Sequence, residues 1–272
     1  MNKLKLWDGN QTFEAAEQAW DCQAASAEKN HPIKKLKSLP NMPGMTPETA
    51  KNLKWKSFKW IITEDHDRKI LKNVLKHPIR HLTRYIKSIF KKKSFKRVDD
   101  FFLYGIDSIN EFKKLLEDKT SLFVLGFSYC HKPFECPSGR FTDLCVHDLD
   151  NPVCQQCFIG KAVHALPKDR SVPLFIPTIH YIGGKIFDLI EQNPSKKILF
   201  VITACEMTLE MFGDLGNMVE IKGIGVRLGG RICNTMKAFE LSEKGIKPGL
   251  TVVLDDSQKK IMELIRVRSE VV

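Results

Sequence analysis

The 272-residue sequence predicts an α/β protein with a doubly wound, largely parallel sheet and a cysteine-rich loop, preceded by a basic helical N-terminal region. Three observations carry this expectation. Beyond residue 118, short and nearly continuous apolar runs alternate with helical patterns, and strands covered on both faces read in this way. The alternation is that of successive βαβ units, which bring parallel strands side by side. The runs are also short: the strongly apolar stretch 198–204 falls far below the roughly 20 residues that a membrane-spanning helix needs.

Residues 1–46 are poor in large apolar side chains, carry the loop-like Leu39-Pro40-Asn41-Met42-Pro43-Gly44, and show one short helical pattern over 12–27. They are expected to form a mobile or loosely docked arm. The start Met1-Asn2-Lys3-Leu4-Lys5-Leu6-Trp7-Asp8 has no apolar run of the kind a secretory signal requires, so a cytoplasmic protein is expected.

Residues 47–118 read as a basic helical region. Thr46-Pro47-Glu48 suits a helix start, and a second pattern spans 64–76 with Ile70, Leu71, Val74 and Leu75 on one face. Pro78 interrupts it. Over 79–90 the residues Ile79, Leu82, Ile86, Ile89 and Phe90 form one stripe, with Arg80, Arg84, Lys87, Lys91, Lys92 and Lys93 mostly off it. Residues 51–100 hold 16 Lys and Arg against 5 Asp and Glu, while the segments on either side balance, so the whole net charge of +11 sits here. Two readings follow. Either the stripe packs on the main domain and the charges are solvated, or residues 76–93 dock on a peripheral anionic membrane surface at the inner membrane face. Nucleic acid is the weaker partner, because no RNA- or DNA-binding motif accompanies the charge.

Residues 119–272 form the expected cysteine-rich metal-binding domain. Strands are expected over 121–127, 172–176, 197–203, 220–226 and 250–254, and helices over 181–192, 206–212, 232–243 and 257–267. In an open parallel sheet, functional groups gather at the carboxyl ends of the strands. Cys130, His180, Cys205 and Cys233 follow the first four strands, and Asp255 and Asp256 follow the last.

Five of the eight cysteines lie in Cys130-x5-Cys136-x8-Cys145-x8-Cys154-x2-Cys157. In a reducing compartment such clustering points to metal or thiol chemistry instead of disulfides. Cys205 and Cys233, taken singly, read as small core fillers. Their strand-end positions bring them toward the loop, which then forms one wall of a larger site; the seven cysteines suffice for one centre or for two, a four-ligand site plus three more. Only Cys154-x2-Cys157 has the paired form typical of zinc. Irregular spacing, the Cys136-Pro137 step and more than four converging thiols favour an iron–sulfur cluster, of the 4Fe-4S type, with zinc as the alternative. Metal-free thiol chemistry at Cys154 and Cys157 is a third reading. The candidate ligands are Cys130, Cys136, Cys145, Cys154, Cys157, Cys205 and Cys233; Cys22 is expected to be unligated.

His131 and His147 lie inside the loop as candidate ligands or acids, though each also reads as an ordinary polar loop residue. Gly223-x-Gly225-x3-Gly229-Gly230 follows a strand and precedes a helix. Gly229 and Gly230 would permit close approach of a cofactor, and Arg227 and Arg231 would hold an anion, although Leu228 stands where the dinucleotide fingerprint needs its third glycine. The sequence has no nucleophile elbow, Walker sequence or zincin helix. The expected partner is a redox partner or a small-molecule substrate, and the reaction stays open.

The string Cys130-x5-Cys136-Pro137, Cys154-x2-Cys157-x-Ile159-Gly160, Ala204-Cys205-Glu206 and Gly230-x2-Cys233-Asn234-Thr235 resembles the bacterial and archaeal cysteine-rich domain of unknown function 116 over about residues 119–256. The resemblance implies that Cys130, Cys136, Cys154, Cys157, Cys205 and Cys233 occupy motif positions. It departs at one place: Asn151 stands near the family's third cysteine, and Cys145 lies further upstream. The family brings no settled activity.

Overall fold

Four parallel strands, β3 (Leu122–Ser128), β4 (Ser171–Ile176), β5 (Ile198–Ala204) and β6 (Lys222–Gly230), form the centre of the sheet. They stand in the order β6-β5-β3-β4. The computed structural model describes residues 10–40, 44–90 and 94–271, and not the side chain of Ile89. The expected arm residues 1–9 and 41–43, and Lys91, Lys92 and Lys93 beside the apolar stripe, lie outside the described residues.

Burial explains why these runs become strands. Phe123, Val124, Leu125 and Phe127 of β3 are all fully buried, as a strand flanked by neighbours and covered on both faces requires. Gly126 permits the contact with Ile176 of β4 and Ile202 of β5, since a Cβ there would stand 2.9 Å from the Ile176 side chain. The residues between the strands form α9 (Ile179–Gln192), α10 (Glu206–Met218) and, beyond β6, α11 (Met236–Glu243) and α12 (Asp255–Glu270). Thr178 and Thr235 start α9 and α11 by accepting the N–H of the third helical residue.

The sheet differs from the expectation at its edge. β7 (Thr251–Val253) pairs with β6 antiparallel, Leu228 facing Val253 and Gly230 facing Thr251. Asp255 and Asp256 therefore leave away from the carboxyl edge and open α12. The region 47–118 is not purely helical either. β1 (Lys96–Val98) and β2 (Phe101–Tyr104) form a hairpin turned at Asp99 (φ +52°), and β2 joins β6 antiparallel. The short Phe-Phe-Leu-Tyr run is buried from Phe102 onward, so tertiary pairing decides its conformation. α6 (Ile109–Leu116) follows.

The single helix expected over 64–76 is instead the end of α3 (Leu53–Glu64) and all of α4 (Lys69–Lys76). Asp65 separates them because its carboxylate accepts the N–H groups of Lys69, Ile70 and Leu71, capping the second helix. α2 (Pro47–Ala50) begins at Thr46, as expected, and α5 spans Pro78–Phe90.

The arm is docked along α1 (Phe13–Asn30), whose Phe13, Ala16 and Trp20 belong to the main core. Thr12 caps this helix, and Glu17 and Asp21 pair with Lys161. The sequence understates this docking because three well-spaced apolar side chains are enough to hold one face. α1 lies on α7 (Pro152–Gln156), and α8 (Phe158–Ala165) packs with α12, while α3, α5 and α9 contact α10.

Candidate metal centre

β3 delivers the chain to the carboxyl edge, where Ser128 Oγ accepts the Cys130 N–H (3.4 Å) and a 3-10 turn, Tyr129–His131, redirects it. The loop that follows is gathered around Lys132. This side chain is 2% exposed, and its ammonium donates to the carbonyls of Gly139 (3.3 Å), Thr142 (2.9 Å) and Leu144 (2.7 Å) and to Thr142 Oγ1 (3.0 Å). A buried cation satisfied by main-chain oxygens folds the loop without an apolar core.

That folding brings Cys136, Cys145, Cys154 and Cys157 around one void of about 20 Å³, floored by Lys132 and Gly160. Asn151 accepts the Val153 N–H and Pro152 occupies the first helical position, so α7 makes one tight turn. Cys154 sits in that turn, and Cys157 ends it as the residue before α8. Gly160 is required here, since a Cβ would collide with the Cys154 carbonyl oxygen.

Backbone amides are turned toward these sulfurs. Burial pushes the Cys157 thiol up to about 12, against the N–H groups of Gly160 and Ile159, which favour its thiolate. Burial likewise takes Cys154 up to about 11, opposed by the Asp148 N–H, and raises Cys145, opposed by the His147 N–H. Four soft sulfur donors, three of them met by main-chain N–H groups, are the kind of surroundings in which a thiolate-bound metal or cluster is held. Among the described residues, no three or more Cys, His, Asp or Glu side chains are drawn into a closed metal-holding group. The donor chemistry thus fits a thiophilic centre, with the thiols around the void and not closed on a point.

Cys130, Cys205 and Cys233 form a second set. They line a separate pocket of about 30 Å³ at the carboxyl edge, walled by Ile176, Ile179, Ile202 and Phe212. Cys205 stands between β5 and α10, with Sγ 3.2 Å from Thr208 Oγ1. The Lys247 ammonium lies 3.2 Å from Cys233 Sγ. The neighbouring Cys205 and Cys233 thiols oppose each other's ionisation, so that one ionises in preference: Cys233 is lowered and Cys205 raised; Lys247 adds to the lowering of Cys233. Glu243 closes the pocket, accepts the Ile179 N–H (2.9 Å), and is raised by burial to about 8. Arg140 ties the two sets together, its guanidinium donating to the carbonyls of Cys130 (3.1 Å), Lys132 (3.1 Å), Lys247 (3.0 Å) and Gly249 (3.1 Å).

The seven candidate cysteines therefore assemble as four and three, not as one site with two walls. Cys145 belongs to the loop set. Cys130, although first in the loop string, belongs with Cys205 and Cys233. Cys22 is exposed on α1. His131 is half-buried and stacked on Phe158 (ring centroids 5.7 Å), desolvation lowers it to about 4, and its Nδ1 has no hydrogen-bond partner among the described residues. His147 Nδ1 lies 2.9 Å from the Cys145 carbonyl, and His180 Nε2 lies 3.2 Å from that of Ile61.

The glycine-rich stretch is strand and not a phosphate-binding turn. Arg227 pairs with Asp100 (2.7 Å), and Leu228, Gly229 and Gly230 pair with β7. Gly229 packs on Leu254, while Gly230 (φ +85°) meets Leu36 of the arm; the Arg231 N–H donates to Leu250. Strand pairing and packing account for these glycines. Glu206, which follows Cys205, is held by Arg97 of the β1–β2 hairpin. Lys132, Arg140, Glu243 and Lys247 escape sequence reasoning. Lys132 carries one faint signal, its place two residues after a strand-end cysteine; the other three have none.

No protein-family model, curated protein or solved structure matches the chain.

Proposed function

We propose that the chain is an iron–sulfur protein with two thiol-based centres. Cys136, Cys145, Cys154 and Cys157 hold the first, and Cys130, Cys205 and Cys233 supply a second at the carboxyl edge of a doubly wound sheet. The observation that carries this reading is the convergence of four loop thiols on one void, with main-chain N–H groups directed at three of them. A cluster bound by such residues supplies electron transfer, and three cysteines leave one coordination position for a small-molecule substrate or a sulfur-containing group. The protein's own part is to orient the thiolates, exclude water through the apolar pocket walls and balance charge with Lys247 and Arg140. The resemblance to the cysteine-rich domain of unknown function 116 belongs to the same proposal, since all six motif cysteines fall in one or other set. A reducing, cytoplasmic setting suits eight unbridged thiols.

The strand-end set supports a second reading. Cys205 and Cys233, which line one pocket with the Lys247 ammonium 3.2 Å from Cys233 Sγ, are the pair suited to metal-free thiol chemistry, in preference to Cys154 and Cys157. Anaerobic purification followed by visible absorption and by iron, sulfide and zinc analysis separates the readings. Iron with sulfide supports the cluster, stoichiometric zinc in colourless protein overturns it, and metal-free protein under reducing conditions leaves the dithiol.

A further inference from the structure

α5 is turned inside out for a helix on a globular surface. Its inner face carries little aliphatic surface: His81 and Ser88 are buried, Ser88 donates to Asp214 (2.6 Å), and Tyr85 packs on the small cluster around Phe187. Its apolar stripe points outward, with Ile79 at 79% and Phe90 at 85% exposure and Leu82 and Ile86 exposed between them. A surface helix that packs on its own domain shows the reverse arrangement.

The outward apolar character continues onto α3. Trp55 (62% exposed), Phe58 and Ile62 recur at helical spacing, and the Phe58 ring lies 5.9 Å from Tyr85 of α5, joining the two stripes. Leu71 and Leu75 add exposed apolar surface on α4. A contiguous apolar face of this kind marks an interaction site. Around it, Lys51, Lys59, Lys72 and Lys87 are exposed and form no ion pair among the described residues. On the sheet side of α5 lies a cleft of about 790 Å³ in which Arg80 and Arg84 pair with Glu220, so the uncompensated charge stays with the lysines around the outer face.

We propose that the outer face of α3, α4 and α5 docks on an anionic lipid bilayer, with Trp55, Ile79, Leu82 and Phe90 entering the interface and the lysines meeting the headgroups. Among the described residues no helix is long and apolar enough to cross a membrane, so the contact lies in the membrane plane. Charge selects this occupant. A second copy would bring two strongly basic segments together. A nucleic acid would match the lysines but leave the apolar stripe in water.

Co-sedimentation of the full chain with vesicles tests this, using phosphatidylcholine alone or mixed with phosphatidylglycerol. The protein is expected to sediment with the anionic vesicles at low salt and to be released at high salt. Ile79→Asp or Leu82→Asp is expected to weaken partitioning by about tenfold or more. Lys51→Ala and Lys87→Ala are each expected to weaken it by about fivefold. Because these positions are exposed, thermal unfolding of the variants stays unchanged, which separates lost docking from lost folding. No sedimentation with anionic vesicles at low salt overturns the proposal. So does equal binding to phosphatidylcholine alone, self-association abolished by the same aspartate substitutions, or displacement from vesicles by duplex RNA. Metal content plays no part in the readout, so failure here leaves the metal centres untouched.

Discussion

Lys132 shows how a single buried charge organises the loop. Its ammonium has four oxygen partners, three of them carbonyls from residues 139–144. Lys132→Met keeps the stem and leaves those acceptors unpaired, at a cost of about 2–4 kcal/mol. The expected outcome is a lower denaturant midpoint together with faster amide exchange over 136–145; a variant as stable as the parent would show that the loop holds itself. Gly160 is the other exacting position. Gly160→Ala forces a Cβ against the Cys154 carbonyl, so α8 must shift away from the thiols, destabilising by about 1–3 kcal/mol. Metal bound per chain is expected to fall with it, measured by elemental analysis of the purified variant. Neither residue announces itself in the sequence: cysteine clustering marks the candidate ligands, whereas the lysine that gathers their loop is one of 43 basic residues.

At the scale of elements, the four parallel strands are legible because each is a run of apolar residues with no polar side to hide. The β1–β2 hairpin is not, since its short strands gain their stability from pairing with β6. The split between α3 and α4 is invisible for a similar reason: one carboxylate, Asp65, terminates a pattern that is otherwise periodic. The helical layer also carries a pH dependence. Burial holds His81, beside Phe187 and the Val74 carbonyl, and His180, beneath α3, below their ordinary value of 6.5. The unfolded imidazoles take up protons near that value while the folded ones resist, so their stabilisation is present above about pH 6.5 and is lost as pH falls further. Hydrogen exchange is therefore expected to accelerate in α4 and α5 between neutral and mildly acidic pH, and His81→Gln is expected to blunt the change; exchange independent of pH, after correction for the intrinsic rate, would contradict this.

For the whole molecule, sequence alone brings the cysteines to the carboxyl edge of the sheet and allows a division into four and three, but does not say which cysteine falls in which group. Strand-end spacing places Cys130, Cys205 and Cys233 together only once the order β6-β5-β3-β4 is known, and the path of the loop away from Cys130 is set by Lys132 and Arg140. The apolar stripe of α5 was equally ambiguous, because periodicity reports a face and not what that face meets. The proposed two-centre arrangement predicts that the cysteines are separable by mutation. The most direct measurement is iron and acid-labile sulfide in anaerobically purified protein, compared with Cys154→Ser and Cys205→Ser variants that retain the parent's circular dichroism. Each substitution is expected to remove one part of the bound iron and leave the other. A parent protein carrying zinc without iron, or loss of all metal in both variants, would contradict two independent iron–sulfur centres.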